Sequence, residues 1–272
     1  MKSQITRKDF LTTAVRSAAA VSVGAVGVSL LAPSGGQAAT TTPATWPWPY
    51  KRLDPEDVRK RAHKFYYEGG CAYGAFNGVV AALVDAVGEP FNRVPPQMMY
   101  YGGGGAAGWG TLCGAVNGSA AAISLVVDRS NASAIVGELL GWYTTTPFPS
   151  DISNDYARAH VFFVNKSDKI LKQNASGSPL CHTSVSLWCS ESGYKASSAE
   201  RAERCARLTG DVAAKAVQML NDFSTGVFKA TFVAPRSVPG CQGCHDSAIG
   251  NVVASVKMDC QSCHQENFQH LY

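Results

Sequence analysis

The sequence CAYGAFNGVVAALVDAV, residues 71–87, is dominated by small and apolar residues and contains no proline. It predicts a helix whose small side chains let a neighbouring helix, or a bound group, approach closely. Part of the pattern returns forty residues later, because GAFNG at 74–78 is echoed by GAVNG at 114–118. Each copy has a cysteine on its N-terminal side, Cys71 and Cys113. The sequence therefore predicts a mainly α-helical fold built around a Gly/Ala-rich helical body.

Two further helices are predicted from their capping patterns. The tetrapeptide DPED at 54–57 places a capping aspartate before a proline and two acids, which is typical of a helix start. That helix is expected to run to a Gly-Gly pair at 69–70, which interrupts it. Residues 197–221 predict another helix with a regular apolar face, capped by Ser197 or Ser198.

Two segments depart from the helical pattern. HVFFVN at 160–165 and KILK at 169–172 surround a polar turn and predict a small β-hairpin. YYGGGGAAGWG at 100–110 predicts a flexible loop. Its glycines lack the order, and the flanking strand and helix, of a dinucleotide-binding fingerprint.

The first 39 residues have the organisation of an export signal. TRKDFL at 6–11 resembles a twin-arginine motif in which Lys8 replaces the second arginine, and an apolar run covers 18–31. An ordinary secretory signal or a single membrane anchor is the alternative, but the apolar run is short for a spanning helix. We expect residues 1–39 to be removed as a twin-arginine-type signal peptide. The mature protein is then expected to be periplasmic and to contain no membrane span.

The charge of the chain argues against a nucleic-acid partner. The formal net charge is +4, and most of it belongs to the signal region, so the mature chain is nearly neutral. A nucleic-acid-binding protein would need a basic face. The mature length supports one substantial core with an appended cofactor segment. We predict a cysteine-containing helical domain at 40–232 and a cofactor segment at 233–272.

Two C-x-x-C-H pentapeptides lie in the C-terminal segment. The first contains Cys241, Cys244 and His245, and the second contains Cys260, Cys263 and His264. In this signature the two thiols add to the vinyl groups of one porphyrin, and the adjacent histidine binds its iron. The sequence predicts two covalently bound c-type haems per chain on an irregular segment, with His245 and His264 as proximal ligands.

A zinc ribbon is the competing interpretation of the same cysteines. Their C-x2-C-x15-C-x2-C spacing is also found in zinc ribbons. Zinc gives no reason for a histidine directly after both pairs, so we favour haem.

Five cysteines remain once the haem thiols are assigned. They are Cys71, Cys113, Cys181, Cys189 and Cys205. Disulfides are the ordinary expectation for an exported protein, although an odd number of cysteines in helical stretches argues against a complete set. Soft thiolates gathered in one core suit an iron–sulfur cluster. Because the twin-arginine route carries folded proteins, a cluster inserted in the cytoplasm would also account for the signal.

The motifs together carry a family resemblance. CGAVNG at 113–118 matches the C-G-A-x-x-G signature of redox proteins with four spaced cysteines. With two C-x-x-C-H motifs appended, the chain resembles the split-Soret cytochromes c over residues 65–264. The resemblance implies a homodimer with two bis-histidine haems per chain, stacked nearly in contact. It also implies an iron–sulfur centre of the [2Fe–2S] type.

The resemblance implies ligands residue by residue. The implied cluster ligands are Cys71, Cys113, Cys181 and Cys205, with Cys189 as the alternative to Cys181. Each haem is implied to take its sixth ligand from the other subunit, and the candidates are His182 and His270. His63 is expected to be a solvated helix residue, and His160 an ordinary histidine at the edge of an apolar strand.

These features favour an electron carrier that works with other redox proteins. The sequence contains no recognisable catalytic triad, paired carboxylates or nucleotide loop. The alternative is an enzyme that reduces a small nitrogen or oxygen species at an open haem. The two differ at the iron, because a carrier has both axial positions filled and a catalytic haem leaves one open.

Overall fold

The computed structural model describes residues 44–235, 238–239 and 257–259. The predicted signal peptide, both C-x-x-C-H motifs and His270 lie outside the described residues. Helices make up the regular structure of the described part, which confirms the predicted mainly α fold. The α-helices are α1 Pro55–Val87, α2 Gly114–Val126, α3 Arg129–Thr145, α4 Asp151–Arg158, α5 Cys181–Ser192 and α6 Ala199–Ser224, and the 3-10 helices are Phe91–Arg93 and Pro96–Gly102.

The helix α1 consists of two arms. It begins as predicted, with the Asp54 side chain accepting a hydrogen bond from the Glu56 N–H at 2.9 Å and proline in the first turn. Gly70 has φ 82° and ψ −176°, so the helical backbone breaks at the predicted Gly-Gly pair. An L side chain rarely adopts that conformation, which explains the glycine. The residue after the break is Cys71, which starts the second arm.

The two arms of α1 fold back on each other, and glycines make the contact possible. A Cβ on Gly74 would lie 2.7 Å from the Tyr66 nitrogen, and one on Gly78 would lie 2.7 Å from the Ala62 Cβ. Neither contact leaves room for a methyl group. The first GAxNG pattern therefore marks a crossing between the two arms.

The second GAxNG pattern marks the crossing of α2 over α1. A Cβ on Gly118 would overlap the Ala72 carbonyl oxygen and lie 2.9 Å from the Phe76 nitrogen. A Cβ on Gly114 would overlap the Cys71 sulfur. The small residues thus allow α2 to approach both the backbone of α1 and the thiol of Cys71.

The core forms where α1 packs against α6 and α2, with α3 completing it. The predicted helix at 197–221 is present as α6, and the Ser198 hydroxyl accepts from the Arg201 N–H at 3.1 Å. By length and composition, α1 could also cross a membrane. Its two arms fold on each other, and 61% of its most apolar window is buried inside the protein, so the apolar residues of α1 belong to the core.

The predicted β-hairpin at 160–165 and 169–172 is wrong, because no strand occurs in this described segment. Its backbone is held by buried side chains instead. The Arg207 guanidinium donates to the Lys169 carbonyl at 2.8 Å and the Ser167 carbonyl at 2.9 Å. The Asn154 side-chain oxygen accepts from the Leu171 N–H at 3.1 Å. With these partners, the segment needs no second strand.

The chain after α6 returns to α3. The Glu138 carboxylate accepts from the backbone N–H groups of Thr231 and Phe232, both at 2.7 Å. The Phe232 ring lies against Gly141, where a Cβ would overlap it. Further along, the Ser178 hydroxyl lies 3.7 Å from the Met258 sulfur, in the short described piece that precedes the second C-x-x-C-H motif.

Candidate metal centre

Four cysteines come from four separate elements. Cys71 starts the second arm of α1, and Cys113 is the N-cap of α2. Cys181 is the first residue of α5, and Cys205 lies in the second turn of α6. Three of the four thiols therefore lie where a helix begins.

Backbone hydrogen bonds hold the starts of α2 and α5 side by side. The Cys113 N–H donates to the Pro179 carbonyl at 2.8 Å, and the Cys181 N–H donates to the Thr111 carbonyl at 2.7 Å. An isolated antiparallel bridge joins Leu112 to Leu180. Since Gly114 brings α2 against the Cys71 sulfur, three thiols are collected at one place.

The glycine-rich segment 103–110 lies beside these thiols. Its backbone is tied by hydrogen bonds from the Gly110 N–H to the Gly104 carbonyl and from the Thr111 N–H to the Gly105 carbonyl, both at 3.0 Å. It is therefore an ordered series of turns and not the flexible loop that its composition predicts. Gly105 has φ 69°, and a Cβ there would lie 2.8 Å from the Cys181 Cβ. The Gly104 backbone lies beside Cys71 and lowers the pKa of this thiol against the larger effect of burial.

The thiols act electrostatically on one another. Burial raises the pKa of Cys71 to about 12, and the charges of Cys113, Cys205 and Cys181 add to the shift. Burial likewise raises the pKa of Cys181 to about 12, with contributions from Cys113 and Cys205. Burial also raises the pKa of Cys113. Without a metal these groups are neutral thiols at neutral pH, whereas a coordinating metal ion deprotonates its thiol ligands.

Cys189 stands apart from the other four. Burial raises its pKa, and among the thiols only the charge of Cys205 acts on it. The arrangement favours Cys181 over Cys189 as a ligand. All five cysteines are free, so the described residues contain none of the disulfides considered as the alternative.

Two arginines and a tyrosine surround the thiols. The buried Arg204 acts electrostatically on Cys113 and Cys181. Burial would lower the pKa of Arg201, but the charge of Cys205 opposes this and the pKa is raised. The Tyr143 hydroxyl lies beside Cys113, where it lowers the pKa of the thiol against the larger effect of burial. Sequence reasoning missed Arg204 and Tyr143, because nothing in the local pattern distinguishes them from other helical residues.

The donor set consists of soft thiols, which suit iron and iron–sulfur clusters. Among the described residues, no three His, Cys, Asp or Glu side chains are already arranged around one point. The buried cation Arg204 beside the thiols suits a negatively charged group bound by them.

The described histidines lie in three different environments. His182, the second residue of α5, is exposed beside Gly110. His160 is exposed, with φ 56°. His63 is fully buried, which contradicts the expectation of a solvated residue. Its ring is stacked on Phe162 with centroids 3.8 Å apart, and Nε2 lies 3.3 Å from a carboxylate oxygen of Glu203.

Known proteins show the same arrangement of sequence and fold. The family model described as "Putative redox-active protein (C_GCAxxG_C_C)" matches residues 73–219. The split-Soret cytochrome c of Desulfovibrio desulfuricans is 40% identical over 223 residues, covering 80% of this chain and 77% of that protein.

A solved structure agrees with both matches. It is described as "A novel iron centre in the split-Soret cytochrome c from Desulfovibrio desulfuricans ATCC 27774", and it is 38% identical to this chain. The TM-score is 0.72, and the match covers 81% of this chain and 91% of that one.

Proposed function

This chain belongs to the split-Soret cytochrome c family of electron-transfer proteins, and we propose that it is an exported, dimeric carrier with two kinds of iron centre. Two c-type haems would be held by the C-x-x-C-H motifs at 241–245 and 260–264. A cluster of the [2Fe–2S] type would be held by Cys71, Cys113, Cys181 and Cys205.

The convergence of four thiols beside a buried cation is the observation that carries this proposal. These thiols come from four elements of the fold, and their charges act on one another. The D. desulfuricans relative contains an iron centre, and thiolates are the donors in this chain that suit iron.

The position of the described residues 257–259 supports electron exchange between the two kinds of centre. Met258 precedes Cys260 by two residues, and its sulfur lies 3.7 Å from the Ser178 hydroxyl. Ser178 belongs to the segment that leads into Cys181 at the start of α5. The second motif begins two residues after Met258, and we propose that a haem attached there exchanges electrons with the cluster.

The cluster would supply one-electron chemistry, and the protein residues would bind it and adjust its potential. The Gly104 backbone and the Tyr143 hydroxyl lie beside Cys71 and Cys113, where each lowers the pKa of the thiol against the larger effect of burial. Polar groups beside a ligand sulfur favour the more negative, reduced state. The glycine-rich segment 103–110 lies against Cys181 through Gly105.

The haems would be bis-histidine centres completed across a dimer interface. His245 and His264 would be the proximal ligands, and His182 and His270 the sixth ligands, each from the other subunit. The exposure of His182 is compatible with this role. We further propose a periplasmic location, with redox proteins as the donor and acceptor.

Covalent attachment is tested by acid-acetone extraction of the purified protein, which should leave two haems per chain bound. Loss of the haem would contradict attachment at the motifs. Carbon monoxide separates the carrier from a haem reductase, because it should leave the spectrum of six-coordinate haems unchanged. A spectrum that shifts with carbon monoxide would favour the reductase.

The cluster is tested by iron and acid-labile sulfide analysis of anaerobically prepared protein. The proposal predicts more iron than haem, sulfide in the preparation, and an electron-spin signal that appears on reduction. Iron equal to haem with no sulfide would contradict it. Anaerobic handling is needed because exposed clusters are lost on oxidation.

A further inference from the structure

Arg204 differs from the other buried arginines in what faces it. Arg59 and Arg207 are buried too, but Arg59 pairs with Asp211 and the Arg207 Nε lies 2.7 Å from Glu203. Arg204 is 1% exposed, and none of the ion pairs among the described residues includes it. A buried charge without a counter-charge is strongly unfavourable, so this position calls for an anion.

The hydrogen bonds of Arg204 point towards the thiols. Its Nη2 donates to the Ser184 hydroxyl at 3.0 Å, while its Nε is buried without a partner in the described structure. The Tyr143 hydroxyl donates to the same Ser184 hydroxyl at 3.0 Å. A guanidinium can only donate. Ser184 therefore accepts from both Arg204 and Tyr143, so it holds the guanidinium in place from α5.

The thiols are the anionic groups that Arg204 can serve. Arg204 directly precedes Cys205 on α6, and its hydrogen-bond partner Ser184 lies three residues after Cys181 on α5. A cluster bound by four thiolates is negatively charged, and reduction adds one more negative charge. A fixed cation beside it therefore stabilises the reduced state more than the oxidised one.

We propose that Arg204 is the built-in counter-charge of the metal centre and raises its reduction potential, with Ser184 holding its guanidinium in place. This inference rests on the proposed cluster. It adds to that proposal a residue that is not a ligand, together with the direction in which that residue shifts the potential.

The first experiment is a redox titration of the cluster signal in the full-length, haem-bearing protein. Arg204→Met removes the charge and is expected to lower the midpoint potential, whereas Arg204→Lys should remain close to the wild type. Tyr143→Phe should cause a smaller shift in the same direction. The matched control is Lys215→Met, a cation on the same helix whose ring contact is with Trp142, and it should leave the potential unchanged.

The second experiment compares thermal unfolding with the cluster present and after its removal by chelation. With the cluster, Arg204→Met should lower Tm, because the cluster loses its counter-charge. Without it, the same variant should match or exceed the wild-type Tm, because a buried unpaired charge has been replaced by an apolar side chain. An equal loss of Tm in both states would show a merely structural role and overturn the inference.

The outcomes separate this inference from the proposed function. A wild-type protein without a cluster would refute the proposed centre. A cluster whose potential is the same in wild type and Arg204→Met would refute the counter-charge and leave the centre standing. If Arg204→Met folds but binds no cluster, the lysine variant decides. Cluster binding by Arg204→Lys supports the role of the positive charge, and loss of the cluster in Arg204→Lys overturns the inference.

Discussion

At the scale of single residues, the thiols of Cys113 and Cys181 are subject to opposing effects. Cys113 caps α2 and Cys181 begins α5, where the helix dipole and unpaired N–H groups favour a thiolate. Burial outweighs this and raises the pKa of both thiols. The balance favours neutral thiols in the metal-free protein and thiolates only when a metal replaces their protons. A metal-dependent change of charge in the core follows from this arrangement.

Replacing one ligand thiol should remove the cluster and leave the haems in place. In Cys71→Ser the remaining three thiols cannot complete a four-cysteine set, so we expect near-complete loss of acid-labile sulfide at an unchanged haem content. Cys189→Ser is the matched control, because Cys189 interacts among the thiols with Cys205 only. The analysis is iron and sulfide per haem in anaerobic protein. Equal losses in both variants would mean that the ligand set is not the one proposed.

At this scale, functional residues could be predicted from the sequence only where their residue type is rare. Five cysteines outside the haem motifs stand out in any reading of the chain, so a thiol centre was predictable. Arg204 and His63 were not, because their roles depend on tertiary partners. The basic residues near His63 in sequence suggested solvation, yet it packs on Phe162 and faces Glu203.

At the scale of helices, glycines determine how closely the elements approach. The GAxNG echo was visible in the sequence, and its small residues correctly predicted close contact. Gly118 lies against the backbone of Ala72, and Gly114 lies against the sulfur of Cys71. The same crossing therefore packs the core and positions the thiol of Cys71, a proposed ligand.

A methyl group at the crossing should destabilise the fold. In Gly118→Ala the new Cβ meets the Ala72 carbonyl oxygen, and backbone cannot move aside as a flexible side chain can. We expect a loss of about 1–3 kcal/mol in the free energy of unfolding, the usual range for overpacking. Denaturant unfolding monitored by circular dichroism measures it.

The matched control lies in the middle of α3. A Cβ on Gly137 would lie 3.6 Å from the Lys257 Nζ, an ordinary contact. Gly137→Ala should therefore stabilise the protein by up to about 1 kcal/mol, through helix propensity alone. If Gly118→Ala were as stable as Gly137→Ala, the two helices would not cross as closely as described.

Element boundaries were predictable where local chemistry sets them, and the hairpin was not. Asp54 and Ser198 cap their helices through their own side chains, and Gly70 breaks α1 through its own backbone. The apolar residues at 160–165 gave a strand-like pattern, but the backbone at 167–171, on the other side of the predicted turn, is held by Arg207 and Asn154. Those two residues are distant along the chain, so no local pattern could reveal them.

At the scale of the whole molecule, Glu138 joins the chain beyond α6 to the helical body. Burial would raise the pKa of Glu138, but hydrogen bonds from Phe232 and Thr231 outweigh it and lower the pKa below 4.5. A depressed folded pKa means that the contact contributes fully above the unfolded value and is lost as the pH falls through the folded one. We therefore expect residues 231–232 to detach below about pH 4.5.

The variant Glu138→Gln should reproduce the acid effect at neutral pH. It keeps one acceptor oxygen but loses the charge, which should weaken the docking by about 1 kcal/mol. Hydrogen exchange at the Thr231 and Phe232 amides measures the change. Glu191→Gln is the matched control. A change at Lys215 is not suitable here, because Lys215 lies near Glu138. Unchanged hydrogen exchange at these two amides in Glu138→Gln would show that the carboxylate does not hold residues 231–232.

The last prediction concerns the dimer and the sixth haem ligands together. If each haem takes a histidine from the other subunit, then His182→Ala and His270→Ala should each leave a haem five-coordinate and weaken the dimer. We expect a high-spin component in the optical spectrum, binding of carbon monoxide, and a shift towards monomer in analytical ultracentrifugation. His160→Asn is the control, since His160 is exposed and asparagine tolerates its φ of 56°. It should keep the low-spin spectrum and the dimer. A monomeric protein with both haems still six-coordinate would show that the ligands come from within one chain.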